Sequence, residues 1–395
     1  MSIYGSLNEN SLVFSDSGTP ICEINTSITG QLVLDNNSNG YVTLETTTAD
    51  NYQLPRYEIT TQTKTSLFPA TSVEGTPILS NQNTTGKIFG RLLVENWSII
   101  EPPVFLNFTC IAWSPELRLF VAAAVSSLVI TSPDGITWSS INTGIGGITE
   151  DIVWSPEVGR FVTVASFDGG SQWIRYSSDG INWSGVSLST NAFQGVTWSP
   201  ELGIYCAVAN SGTNRAITSI DGIVWNNRSL SSNDWRSVAW SPKLGIFCVV
   251  GYDNVVSTSP DGIIWTNTAI TPVGEYNSVT WSPELEIFCA VGNSSSTDVI
   301  ITSSDGTTWT ASQTPFATND WNSVTWSPEL EMFCAVGTVV GSDKIITSYD
   351  GIKWVTRNEA PTTTGLYGLT WSPELGIFCA VGDDSTNDRI ATSMI

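Results

Sequence analysis

The tripeptide Trp-Ser-Pro recurs seven times in this 395-residue chain, its tryptophans at Trp113, Trp154, Trp198, Trp240, Trp281, Trp326 and Trp371. Self-similarity at a fixed period of 41 to 45 residues dictates a repeat architecture, because such a unit can bury its apolar face only against its neighbours. Each copy continues into an apolar run, best seen in GIFCAVG at 376–382, and then crosses a variable stretch. Six copies end in Thr-Ser-x-Asp-Gly-x-x-Trp or a close variant, with aspartates at Asp134, Asp179, Asp221, Asp261, Asp305 and Asp350. Alternating apolar residues and turn formers predict four short antiparallel strands per unit and no helical period. Seven such units predict an all-β chain, a seven-bladed β-propeller with four-stranded blades, whose radial arrangement leaves few open sheet edges.

The seventh copy reaches residue 395 without its Asp-Gly motif. Upstream, Trp97 precedes Trp113 by the interval that separates Trp138 from Trp154, so a strand around residues 90–100 is expected to complete the blade begun at Trp371 and close the ring. The propeller then spans 89–395. Residues 1–88 contain no tryptophan and none of the repeat, and are expected to form a small β-rich docking domain. In it, 31–35 and 40–45 alternate on either side of an Asn-rich turn, a hairpin signal.

Composition removes whole classes of function. With 37 acidic against 15 basic residues the net charge is −22, a poor match to the phosphates of nucleic acid or an anionic membrane. There is no histidine, which takes away the usual general base, the Ser/His and Cys/His nucleophile pairs and the commonest zinc ligand. No basic n-region precedes an apolar segment and no apolar run approaches membrane-spanning length, so neither export nor membrane insertion is expected. No catalytic residue, metal site or cofactor is assigned.

The repeated residues have structural roles of their own. In the Asp-Gly turn the aspartate accepts backbone amides, the glycine takes positive φ and the tryptophan covers the turn. The segments TSPDGITW, SSDGINW, TSIDGIVW, TSPDGIIW, TSSDGTTW and TSYDGIKW resemble the Asp-box, or BNR, repeat of sialidase-type propellers. That resemblance implies a propeller and places the aspartates away from any active site, as structural residues. The sialidase arginine triad, Tyr/Glu pair and Arg-Ile-Pro start are not recognisable here. Glutamates follow the Trp-Ser-Pro motif at Glu116, Glu157, Glu201, Glu284, Glu329 and Glu374, with Lys243 in one blade, and are expected to be solvated turn carboxylates or a divalent-cation ring on the Asp-box face. Five cysteines, Cys206, Cys248, Cys289, Cys334 and Cys379, share one repeat position and are expected to be free thiols acting as small hydrophobes.

What the copies vary is free to recognise a ligand. Five residues before each Trp-Ser-Pro tryptophan stand Phe108, Thr149, Phe193, Trp235, Tyr276, Trp321 and Leu366, with Tyr367 beside the last. Phe108, Phe193, Trp235, Tyr276, Trp321 and Tyr367 are expected to form an aromatic ring at the channel mouth, on the face opposite the Asp-boxes, suited to stacking on sugars or anchoring a protein; bracing between blades is the other reading. Connections between second and third strands add Asp168, Trp173, Arg175, Arg215, Asp253, Asp298, Asp343, Lys344, Asp383 and Arg389 without forming a constellation.

The near-identical WSPELGIFCAVG units resemble repeats of propellers displayed on tailed phages and large DNA viruses. The resemblance implies a non-enzymatic virion surface protein, located on the virion, whose N-terminal domain docks on other virion proteins and whose propeller meets a host glycan or receptor, with homo-oligomeric assembly left open. A free-standing lectin or interaction scaffold, and a carboxylate-dependent glycosidase, are the alternatives.

Overall fold

A computed structural model describes residues 97–393 apart from the connections 144–146, 167–171, 189–190, 272, 294–299, 313–319, 339–343, 358–364 and 384–389; at 172–173, and before residue 97 in the segments 2–8, 11–16, 19–25, 41–43, 58–59 and 86–87, the backbone alone is described. Every regular element among them is a strand, and no helix is long and apolar enough to cross a membrane. The chain divides into two compact units, Met1–Glu95 with Ile395, and Asn96–Met394. In the first, Ser2–Asn8, Ser11–Asp16 and Thr19–Asn25 form an antiparallel meander, and Tyr41–Thr43 pairs parallel to Ser2–Tyr4. The expected hairpin partner at 31–35 lies outside the described residues.

The second unit is a ring of seven four-stranded antiparallel blades. Blade 1 runs Phe108–Ser114, Leu119–Ala124, Leu128–Ser132, Ser139–Asn142, and the later blades repeat that order. In blade 7, Leu366–Ser372, Ile377–Gly382 and Ile390–Ser393 are joined by Trp97–Ile100, with Ile390 opposite Ile100 and Ser393 opposite Trp97. A strand from each end of the propeller sequence therefore closes the ring, as the 16-residue interval predicts. Trp97 stacks on Phe378, but its indole nitrogen is buried without the glycine carbonyl that its six counterparts meet.

Each blade is built around one aromatic sandwich. The second-strand Phe or Tyr packs against its own Trp-Ser-Pro tryptophan, ring centroids 4.4–4.7 Å apart, and in blades 1–6 against the tryptophan of the Asp-Gly turn at 6.2–6.4 Å. The Asp-Gly turn has the predicted chemistry. In blade 1, Asp134 Oδ1 accepts the amides of Ile136 and Thr137 at 2.8 and 2.7 Å, Ser132 Oγ accepts that of Gly135 at 2.8 Å, and Trp138 Nε1 donates to the Gly135 carbonyl at 3.1 Å. A side chain on Gly135 would combine positive φ with contact against Ile377 and Thr392 of blade 7, so glycine is required on two counts. Slight burial raises the carboxyls of these turns, but the amides and serine hydroxyl outweigh it and hold them below the ordinary range, Asp179 at about 2.

The glutamates have a role between blades that no local motif announces. Each lies against the next blade and accepts its indole N–H: Trp154 from blade 2 on Glu116, Trp198 on Glu157, Trp240 on Glu201, Trp326 on Glu284, Trp371 on Glu329 and, across the closure, Trp113 on Glu374, all at 2.5–2.6 Å. They are charge-assisted clasps between blades as well as the turn carboxylates expected, five of the six being exposed, and among the described residues they do not gather into a cation ring. Only contacts between residues 38 to 42 apart, or 261 at the closure, show it, and no local pattern carries that signal.

Apolar packing also runs between blades. Cys248, Val250 and Val256 of blade 4 form one cluster with Tyr276, Val279, Trp281 and Phe288 of blade 5, and comparable clusters join other neighbours. Cys206, Cys248, Cys289 and Cys379 of the cysteine column lie inside such clusters. The six described cysteines are free and buried, and burial pushes their thiols well above the ordinary value.

Candidate recognition ring at the channel mouth

In an antiparallel meander the first-to-second and third-to-fourth turns share one face, here that of the Asp-Gly turns and clasps. The innermost strands begin at the opposite face, beside the connections whose length and sequence vary. There all seven strands carry the same irregularity, a register shift between the fifth and third residues before the tryptophan: Phe108/Cys110, Thr149/Asp151, Phe193/Gly195, Trp235/Ser237, Tyr276/Ser278, Trp321/Ser323 and Leu366/Gly368. Such a bulge leaves one residue unpaired and re-aims its side chain. The residue released is Thr109, Glu150, Gln194, Arg236, Asn277, Asn322 or Tyr367, and all seven are half-buried rather than enclosed.

This overturns the expected aromatic platform. Phe108, Phe193, Trp235, Tyr276 and Trp321 are 0–1 % exposed and pack into the interblade clusters, so they brace blades and offer no stacking surface. Of the six residues named for the ring, only Tyr367 lies at the mouth. A signal for the bulge was present: Phe193 and Trp198 are an odd number of residues apart yet share one core cluster, which strict period-two alternation does not allow. In blade 2, where Thr149 stands at the aromatic position, fully buried Arg175 donates to its hydroxyl at 2.9 Å and thereby occupies the interior in the aromatic's place.

The released side chains stitch neighbouring blades together around the mouth. Thr109 donates its hydroxyl to the Thr149 carbonyl, Asn277 its amide to the Trp321 carbonyl at 3.0 Å and Asn322 its amide to the Leu366 carbonyl at 2.8 Å. Across blades 2 to 5 they also join each other. Arg236 donates to Gln194 Oε1 at 2.9 Å, pairs with Asp234 at 2.9 Å and lies over the Tyr252 ring at 4.4 Å, while Tyr252 donates its hydroxyl to Asn277 at 3.2 Å. Tyr367 donates to Asp383 at 3.3 Å.

Two adjacent carboxyls sit at the blade 2 end of this network. Burial raises Glu150, against hydrogen bonds from Ser166 and Gln194 and the charge of Arg236. Burial carries Asp151 up to about 7, although it accepts the amides of Val196 at 2.9 Å and Ile152 at 2.8 Å, with Glu150 adding to the rise. In blades 4 and 5 the same place is held by Ser237 and Ser278, whose hydroxyls accept the next blade's valine amide at 3.2 Å. Asp151 is thus an ionisable version of a structural bridge.

Of the second-to-third connections, Arg175 is interior, Arg215 and Asp383 are half-buried, Lys344 is buried and Asp253 is exposed. Asp168, Asp298, Asp343, Arg389 and the Trp173 side chain lie outside the described residues. Among the described residues no three metal-ligating side chains come together.

No protein-family model and no curated protein matches the sequence. Solved structures do resemble the ring. A catalytically inactive histidine-to-alanine variant of virginiamycin B lyase from Staphylococcus aureus, with quinupristin, superposes with a TM-score of 0.64 at 12 % identity, covering 76 % of this chain and 99 % of that one. YCF48 bound to D1 peptide gives 0.58 at 14 % identity over 76 % and 97 %, and a chain of the mitotic checkpoint complex 0.60 at 14 % over 83 % and 99 %. The chain is a seven-bladed β-propeller. At these identities the likeness concerns fold alone.

Proposed function

We propose that this propeller is a non-enzymatic recognition module that reads its partner through the polar ring of bulge residues at the channel mouth. One observation carries the reading. Seven equivalent bulges on a repeated skeleton present Thr, Glu, Gln, Arg, two Asn and Tyr, so scaffold is repeated while chemistry is varied at one rim. A ring of donors and acceptors already preorganised by mutual hydrogen bonds fits a polar ligand, peptide or glycan, better than an apolar one. A neighbour of the same fold is described with a bound peptide. The lyase neighbour is inactive when a histidine is replaced, and this chain has no histidine, which weighs against an equivalent activity here. The finer reading, motivated by the WSPELG units, is a virion surface protein anchored through its N-terminal unit and presenting the mouth ring to a host receptor or glycan.

Arrays of host-surface glycans and glycoprotein ectodomains, probed with wild type, Arg236→Ala and Asn322→Ala, test the ring. Binding that falls at least tenfold in either variant, and is unchanged by Ile136→Ser on the Asp-box face, supports it. Binding indifferent to the mouth variants removes the ring from recognition. Recovery of the protein only apart from purified particles removes the virion reading while leaving the ring intact.

A further inference from the structure

The seven interblade junctions follow one plan with a single exception, and the exception has the features of a binding site. Between blades 4 and 5 the clasp glutamate is replaced by Lys243. The facing Trp281 keeps the place of its six counterparts, 4.7 Å from Phe288 and 8 % exposed, but its indole N–H is buried without an acceptor. The Lys243 ammonium is turned outward onto Glu286 of blade 5 at 2.9 Å, in a pair more than half exposed on both sides. A preorganised donor and a cation therefore flank the position that a carboxylate fills in the other six junctions.

We propose that this junction binds a carboxylate in trans: an acidic side chain of a partner polypeptide accepts the Trp281 N–H and pairs with Lys243, as Glu201 does in cis for Trp240. Three features favour that occupant. The donor matches six carboxylate-bound indoles in the same molecule at 2.5–2.6 Å, so the geometry is tuned to this acceptor. Lys243 is the one cation at the clasp position, which supplies local complementarity to a carboxylate in a chain of net charge −22. Leu244 and Leu285, 37 % and 38 % exposed in the two flanking turns, provide apolar shoulders that a polypeptide can cover and a small free carboxylate cannot. On binding, the incoming carboxylate exchanges with Glu286, which is already solvated and loses little by turning to water. The site lies on the face opposite the mouth ring and stands independently of it.

The test follows the indole N–H resonances of the full chain, labelled with nitrogen-15, with Trp281 assigned from Trp281→Phe. The probes are a blocked Ser-Pro-Glu-Leu-Gly peptide, its Ser-Pro-Gln-Leu-Gly counterpart and sodium acetate. The expected result is a saturable downfield shift of the Trp281 signal with the glutamate peptide, at least tenfold tighter than with the glutamine peptide or acetate. In Lys243→Glu the chain's own carboxylate should hold the signal at the shifted position without peptide and abolish the titration. Acetate binding as tightly as the peptide overturns the polypeptide occupant. Equal response to both peptides, no titration in wild type, or undiminished titration in Lys243→Glu overturns the site.

Discussion

Lys243→Glu should stabilise the propeller, although it replaces a residue that makes a salt bridge. In the wild type the Trp281 N–H is buried without a partner, a loss of about 1–3 kcal/mol for a polar group of this kind. The equivalent bonds elsewhere are 2.5–2.6 Å and charge-assisted, a class contributing about 1.5–3 kcal/mol. Against this stands the Lys243–Glu286 pair, whose side chains are 59 % and 54 % exposed, and exposed pairs contribute about 0–1 kcal/mol. The net expectation is a gain of about 1–2 kcal/mol. Glu286 then needs attention, because it would face a new carboxylate and already sits at φ 53°, where blades 2, 3, 4 and 7 place Gly159, Gly203, Gly245 and Gly376. Glu286→Gly removes both the repulsion and a left-handed side chain, adding about 0.5–1 kcal/mol once glycine's greater freedom in the unfolded chain is subtracted. For a ring of this size each kcal/mol moves the unfolding midpoint by about 2 °C, so the double variant should melt about 3–6 °C higher. Calorimetry at pH 7 measures it, with Glu201→Ala as the reverse control, expected to lower the midpoint by breaking an existing clasp. A midpoint unchanged or lowered by Lys243→Glu, while Glu201→Ala destabilises, would show that the junction does not admit a carboxylate. An unchanged midpoint in Glu201→Ala would refute the clasp as a source of stability.

Asp151 titrates in the folded ring near pH 7 instead of its ordinary 3.8, so between those values the folded state holds a proton that the unfolded chain has released. Stability contributed by that proton is complete below pH 4 and lost as pH rises towards 7; Asp151→Ser, with the bridge used in blades 4 and 5, should flatten this dependence in denaturant titrations, and a flat wild-type profile contradicts it. Trp235→Ala should cost about 3–5 kcal/mol in chemical unfolding, as expected for a fully enclosed aromatic, whereas a stability loss under about 1 kcal/mol would return the ring to the surface. Cys248→Val, which copies Val121 and Val162 at the same repeat position, should cost less than about 1.5 kcal/mol, and a thiol reagent should modify the wild-type column only as fast as the ring unfolds. Rapid labelling under native conditions would contradict the enclosure.

What the sequence alone settles here is whatever repeats locally. The Trp-Ser-Pro period, the Asp-Gly turns and the 16-residue offset of Trp97 are each read within one unit, and they suffice for blade number, strand count and the closure by Trp97–Ile100. Turn chemistry is legible for the same reason, since Asp134 and Gly135 act on amides two or three residues away. The tertiary structure decides what lies between blades. Glu116 and Trp154 are 38 residues apart, and nothing around either announces the other. Trp235 and Arg236 are neighbours in sequence, yet one is sealed in the core and the other opens on the mouth, because a single unpaired residue reverses the alternation from which facing is inferred. A repeat thus states its fold seven times over, while the chemistry it presents depends on one bulge and on contacts that exist only once the ring has closed.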